Sequence, residues 1–338
     1  MRRELPAGLP PAPAAVVLDD GTAAVGRYQG RVDRIDWSGL HEARRHSGPW
    51  RWAHHKRWQY VGIASPELFI GVAVVDLGWC ITAFAYVFHR LRQRIVTDWS
   101  QDGLPWLSGR VTDAPVDGVD TAFRGPGAAI TLRHQAGDTL ALRVRAANLN
   151  LRADLDLAST PPMLLAVGPV AGGLMHATQK STAIAVRGEA EVDGLRWDLG
   201  AAHACLDSSN GLLARDTAWR WASAHRPGLG FNLQQGYFGD MENVLWLDGE
   251  PIALGAADFQ FDAQQPLAPW TVRTACGLLD LRFEPQGARC ADRNLGVAAS
   301  RYIQPVGVFS GEVRRARQGP GLRVDGLLGV TEDHRSVW

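Results

Sequence analysis

The chain has 338 residues, 46% of them hydrophobic, and its 35 Lys plus Arg are balanced by 35 Asp plus Glu. That is a globular composition with length enough for two domains, and its 37 Gly and 19 Pro fall short of the level that marks low complexity. Zero formal net charge and a pI near 7.2 remove the long-range attraction to phosphate, so neither nucleic acid nor an anionic membrane surface is expected as a partner.

At the N-terminus, Arg2 and Arg3 precede Leu5-Pro6-Ala7-Gly8-Leu9-Pro10-Pro11-Ala12-Pro13. This is too rich in proline for the apolar core of a signal peptide and reads as an ordered arm or a frayed lead. Short helices are expected around 37–45 and 83–94, and no longer amphipathic pattern is present. Residues 51–60 mix cations with aromatics, which fits cation–π packing along strand edges. The adjacent His54 and His55 would point to opposite sides of a strand and could not share a metal. Residues 68–88 carry one charge, Asp76, and a basic run follows, so on hydropathy they could span a membrane. Asp76-Leu77-Gly78 is turn chemistry, however, and divides the stretch into two runs that read as buried strands.

Strand periodicity governs the rest. Leu140, Leu142 and Val144 alternate, then Leu149, Leu151, Ala153, Leu155 and Leu157 alternate with the opposite parity, and the slip across 146–148 predicts a bulge or sheet corner. A second slip across Asp193-Gly194 predicts a hairpin. Strands follow at 217–224, 230–235, 243–248, 257–261, 270–274, 278–283 and 306–313, with Asp248-Gly249 as a further turn. The expected fold is mainly β and antiparallel, with two barrel-like or sandwich-like lobes and few short helices, divided into an N-terminal lobe 1–190 and a C-terminal lobe 191–338. Cys80, Cys205, Cys276 and Cys290 are scattered, without zinc-knuckle or redox-dithiol spacing, and neither a nucleotide-binding glycine motif nor a G-x-S-x-G serine is present. A reduced cytoplasmic chain with no metal and no cofactor is the expectation.

Two strands carry the candidate site. On 215–223, Arg215, Thr217, Trp219, Trp221 and Ser223 share one face and Asp216, Ala218, Arg220 and Ala222 the other. Indoles beside small polar residues suit a wall that holds a flat or greasy ligand. The next strand alternates Asn232 and Gln234 with Phe231 and Leu233 and leads to Glu242 and Asn243. Amides facing a lumen would orient a ligand, and poor solvation would raise the pKa of Glu242 and make it an acid or base. His203 and Asp207, four residues apart, could relay protons, and Thr331-Glu332-Asp333-His334 offers two carboxylates and an imidazole.

Four segments in order carry a family resemblance: Lys56-Arg57-Trp58-Gln59-Tyr60; Gly211-Leu212-Leu213-Ala214-Arg215-Asp216-Thr217-Ala218-Trp219-Arg220-Trp221-Ala222; Glu242-Asn243-Val244-Leu245-Trp246-Leu247-Asp248-Gly249; and Gly326-Leu327-Leu328-Gly329-Val330-Thr331-Glu332-Asp333-His334. Together they resemble the family called domain of unknown function 2804 (DUF2804), over nearly the whole chain. Val61 departs from it, standing where a second aromatic is expected after Tyr60. The resemblance implies a cytosolic bacterial-type protein without assigned chemistry. By fold-level analogy, two-lobed β proteins with Trp-rich lumens are similar to the lipocalin-related, calycin-like group that includes carotenoid hydratase-like and cyclase-like enzymes. The analogy makes Asp216, Glu242, Asp333 and His334 the candidate acids and bases. Arg215, Trp219, Trp221, Asn232, Gln234, Asn243 and Trp246 would hold a hydrophobic small molecule. Hydratase-, isomerase- or cyclase-like turnover, a carrier without turnover, and a membrane-associated or structural role for 68–88 all stay open at this point.

Overall fold

Alternating apolar residues build two antiparallel sheets in a computed structural model that describes residues 8–294, 296 and 298–338. Among these residues, fifteen strands form the first sheet and nine the second. The beginning of the proline-rich lead lies outside the described residues, but Pro11 already bridges Gln29 of the strand Gly26–Gln29.

Residues 68–88 form a hairpin of the strands Leu68–Asp76 and Ile81–His89, so the part of 83–94 read as helical is strand and turn. Asp76 closes the hairpin, one carboxylate oxygen accepting from Gly78 N–H at 2.8 Å and the other from Arg57 at 2.6 Å. The run is apolar throughout because both of its faces are covered. Ile70, Val72, Val74, Ala83 and Ala85 point into the first sheet's own core, whereas Phe69, Ala73, Tyr86 and Phe88 cluster with Trp221, Val306, Leu328 and Val330 of the second sheet. No helix of the described residues is long and apolar enough to cross a membrane.

The helices are His41–Arg44 and Gly48–His54, the second capped by Ser47, whose Oγ accepts from Trp50 N–H. His54 therefore ends a helix while His55 opens the strand His55–Ala64, and the two-sided strand argument does not apply to them. The parity slip at 146–148 is a two-residue hairpin and not a bulge. Ala146 pairs with Leu149, and Ala147 takes φ of +49° to turn the chain so tightly. No Asn-Gly or Asp-Gly marks this turn, which is why it reads as a slip within one strand.

Asp193-Gly194 does turn a hairpin, but one inside the first sheet, joining Ile184–Val192 to Leu195–Asp198. The next strand, His203–Leu212, still pairs with His55–Ala64, and the second sheet begins with Asp216–Arg226. The crossing from one sheet to the other thus falls at 213–215 and not at 190/191, since a turn signal does not distinguish a hairpin from a boundary. The strand Gly321–Val337, which the periodicity does not announce, is buried on both faces through 327–332 and has no alternation to read.

One buried imidazole ties the two sheets and gives the fold an acid limit. Nε2–H of His225 donates to the His203 carbonyl at 3.0 Å, and burial pushes its pKa down to about 4. An unfolded histidine titrates near 6.5. As the pH falls from there, the unfolded chain takes up a proton that the folded chain refuses. Stability present above pH 6.5 is therefore lost, by about 3 kcal/mol at pH 4 for this group alone. Urea unfolding at pH 7 and pH 4 should show the loss, and His225→Gln, which keeps a donor, should remove that share of it.

Candidate functional site

The two sheets face each other across a cavity of about 230 Å³, and strand register decides what each wall presents. On the first sheet one cross-strand row runs Lys180, Asp207, Tyr60, Ala73, Phe84 and Ser100, beside a row of Trp58, Val75, Thr82 and Asp102. On the second sheet Trp221 pairs with both Gln234 and Glu332, His334 with both Trp219 and Tyr302, and Ser300 with both Ser336 and Arg293. Glu242 enters from the turn that follows the strand Leu229–Gly236.

A buried ion cluster sits in this aromatic surround. Lys180 Nζ lies 2.5 Å from Asp207 and 2.9 Å from Glu242. The second oxygen of Asp207 accepts from Ser209 Oγ at 2.9 Å and Thr178 Oγ1 at 3.3 Å. Burial pushes the Glu242 carboxyl up, the Lys180 ammonium draws it back only in part, and the Asp207 charge adds to the rise. Burial opposes the charge on Lys180, but two carboxylates outweigh it and hold the ammonium above the ordinary lysine range. One cation thus serves two acids, and Glu242 is held toward its protonated form.

Gln234 faces the same space. It is 1% exposed, and among the described residues neither its Nε2 nor its Oε1 has a hydrogen-bond partner. A buried amide with donor and acceptor both unmet is costly and rare in a folded protein. The indoles, by contrast, are tied down: Trp219 Nε1 donates to Glu332 at 2.9 Å and Trp221 Nε1 to Asn232 at 2.8 Å. Their ring faces remain to line the cavity. Arg289, 5% exposed, stacks 4.3 Å over the Phe84 ring and pairs with Asp98 at 2.9 Å.

Of the residues named from the sequence, Trp219, Trp221, Gln234, Glu242 and His334 meet around the cavity. Asn232 and Asn243 stand one layer behind. Asn232 passes an N–H to the Glu242 carbonyl at 3.0 Å, and Asn243 accepts from Gln234 N–H at 2.6 Å. Trp246 is fully buried elsewhere, donating to the Pro162 carbonyl at 2.8 Å, and Arg215 lies in the connection between the sheets, its carbonyl accepting from Trp338 N–H. Asp216 and Asp333 are corrected outright. They are 54% and 42% exposed at the side chain and pair on the surface with Arg335 and Arg220. Parity is the reason: 219 and 221 face the cleft, which sends 216 outward, and 332 and 334 face it, which sends 333 outward. The His203–Asp207 relay does not form, because Asp207 is taken by Lys180.

Lys180 itself was not among the named residues, although composition holds a signal for it. Only two of the 35 basic residues are lysines, Lys56 and Lys180, and both are buried. A chain that covers its surface with arginine has placed its lysines for another purpose. Away from the cavity, Asp117, His134 and Asp138 converge, with Arg31 at 2.9 Å and 2.6 Å from the two carboxylates supplying the positive charge a cation would bring.

Two facing antiparallel sheets around an aromatic cleft define a mostly β protein built of two barrel-like sheets. Within that class it belongs to the family described as domain of unknown function (DUF2804), which matches residues 11–338. Among solved structures it is similar to a candidate AttH from Nitrosomonas europaea, with a TM-score of 0.57 and 13% identity over 86% of this chain and 96% of that one. Kievitone hydratase from Nectria haematococca follows at TM-score 0.52 and 11% identity, covering 84% of this chain and 88% of that one. CghA with Sch210972 gives 0.54 and 13% over the same shares of the two chains, 84% and 88%. Identities this low establish the fold alone. No curated protein matches the chain in sequence.

Proposed function

We propose that the chain binds a hydrophobic small molecule in the cleft between its sheets and moves a proton on it with Glu242, in chemistry of the hydration, isomerisation or cyclisation kind. The observation that carries this reading is the buried Glu242–Lys180–Asp207 cluster and the unpartnered amide of Gln234, in a cavity whose walls are rich in aromatic rings. Rings supply apolar contact, and an amide with both functions unmet supplies a place for one polar end of a ligand, a carbonyl or a hydroxyl. Glu242, held toward its protonated form, gives its proton to an alkene or carbonyl carried there. Lys180 stabilises the carboxylate that remains, and Asp207 keeps Lys180 charged and in place. The names of two structural neighbours run the same way, one being a hydratase and the other, CghA, holding the small molecule Sch210972.

Tryptophan-fluorescence quenching and thermal shift against chain-matched isoprenoid hydrocarbons, alcohols and ketones test the reading. The oxygenated members should bind more tightly, and Gln234→Leu should cost them about tenfold in affinity, one hydrogen bond, while leaving the hydrocarbon unchanged. Equal affinity across the panel, or no binding at all, would overturn it.

A further inference from the structure

We infer that Ser300, His334 and Glu332 form a second reactive unit on the opposite wall of the cleft, a serine nucleophile with its base, able to cleave esters that enter. The unit uses none of Glu242, Lys180 and Asp207. Its geometry comes from the register of two adjacent strands, Ala299–Arg314 and Gly321–Val337, which sets Ser300 across from Ser336 and Tyr302 across from His334.

Ser300 Oγ lies 2.9 Å from His334 Nε2, and His334 Nδ1 lies 3.3 Å from Glu332 Oε1. A carboxylate only accepts, so Nδ1 carries the proton and Nε2 is left bare, which is the tautomer a general base needs. Glu332 cannot turn away from this task. Its Oε1 also accepts from Trp219 Nε1 at 2.9 Å, and its Oε2 accepts from Gln304 Nε2 at 2.7 Å. Gln304 is oriented in turn by Tyr86, whose hydroxyl donates to its Oε1. The Tyr86 ring itself lies over Gly71, where an added Cβ would stand 2.2 Å from it. The direction of each hydrogen bond in the chain Tyr86, Gln304, Glu332, His334 is therefore fixed, and it ends at Nε2, whose single lone pair has two hydroxyls within reach. Ser336, at 2.8 Å from Nε2, is fully buried, while Ser300 lines the cleft. Arg293, directly across the strand pair from Ser300 and bridged to Asp102 at 2.7 Å, lines the same cleft.

In the step this arrangement supports, Ser300 Oγ bonds to the ester carbonyl carbon as its proton passes to Nε2. The carbon–oxygen bond to the alcohol then breaks, and the alcohol leaves with that proton. Water, activated by the same imidazole, releases the acid and restores the serine. Because the serine stands on a strand and not on an elbow, no G-x-S-x-G pattern announces it.

The test is covalent capture by an alkyl fluorophosphonate on the full chain, with peptide mass mapping. A single adduct on Ser300 is the expected result, lost in Ser300→Ala together with p-nitrophenyl butyrate hydrolysis. Glu332→Gln is the diagnostic variant for a positioning residue. It should lower the maximal labelling rate by about 10²- to 10⁴-fold, with the half-saturating probe concentration unchanged. Wild-type protein that takes up no label, label on another residue, or a Glu332→Gln protein that labels at the wild-type rate would each overturn the proposal.

Discussion

Replacing Lys180 with methionine should lower the unfolding free energy by about 3–5 kcal/mol at pH 7, the effect of stripping the partner from a buried charge. The size follows from the arrangement: a side chain 3% exposed whose one charge is shared by two carboxyl groups, at 2.5 and 2.9 Å. Without it, Asp207 and Glu242 stand unneutralised in a site that already pushes the Glu242 carboxyl upward by burial. Removing the ammonium, which draws that carboxyl down, raises it further, so the folded variant binds a proton that the unfolded chain gives up at an ordinary carboxyl pKa. A carboxyl raised in this sense contributes stability that is present in acid and lost as the pH climbs through its folded pKa. The deficit of the variant should therefore be largest at neutral pH and shrink toward pH 5. Urea titrations at the two pH values read this directly. A deficit equal at both would mean that Lys180 acts through packing and not through charge.

Glu242→Gln should behave in the opposite way, with little effect on stability and a large one on turnover. The substitution leaves Lys180 and Asp207 as a one-to-one pair at 2.5 Å, so no buried charge is stranded. What is lost is the proton, and removal of a positioned acid or base costs about 10²- to 10⁴-fold in rate. With the ligand that the isoprenoid panel selects, kcat should fall by that factor while affinity stays within about threefold, the split that marks an interaction made only in the transition state. Turnover at the wild-type rate would remove Glu242 from the chemistry. A wild-type protein that binds the same ligand and never changes it would be a carrier.

How much of this was readable in the residues depends on parity. Alternation correctly grouped Trp219 with Trp221 and set Asn232 with Gln234, because a strand has only two faces. It does not say which face meets the other sheet, and setting Asp216 beside Trp219 and Trp221, or Asp333 beside His334, draws on both faces of one strand when only one can line the cleft. Lys180 was hidden for a different reason: its strand, Met175–Lys180, is buried at every position and has no period. The ion cluster joins positions 180, 207 and 242, brought together by cross-sheet packing that no local pattern encodes. The same double burial made 68–88 look like a membrane segment.

That doubly covered hairpin also bears on how the chain is made. Phe69, Tyr86 and Phe88 leave the ribosome long before Val306, Leu328 and Val330, the residues that cap them. Throughout the synthesis of the intervening segment, the first sheet offers an oily flank with nothing to rest against. Encounters between half-made chains would begin there, and a holding chaperone would find its grip on the same rings.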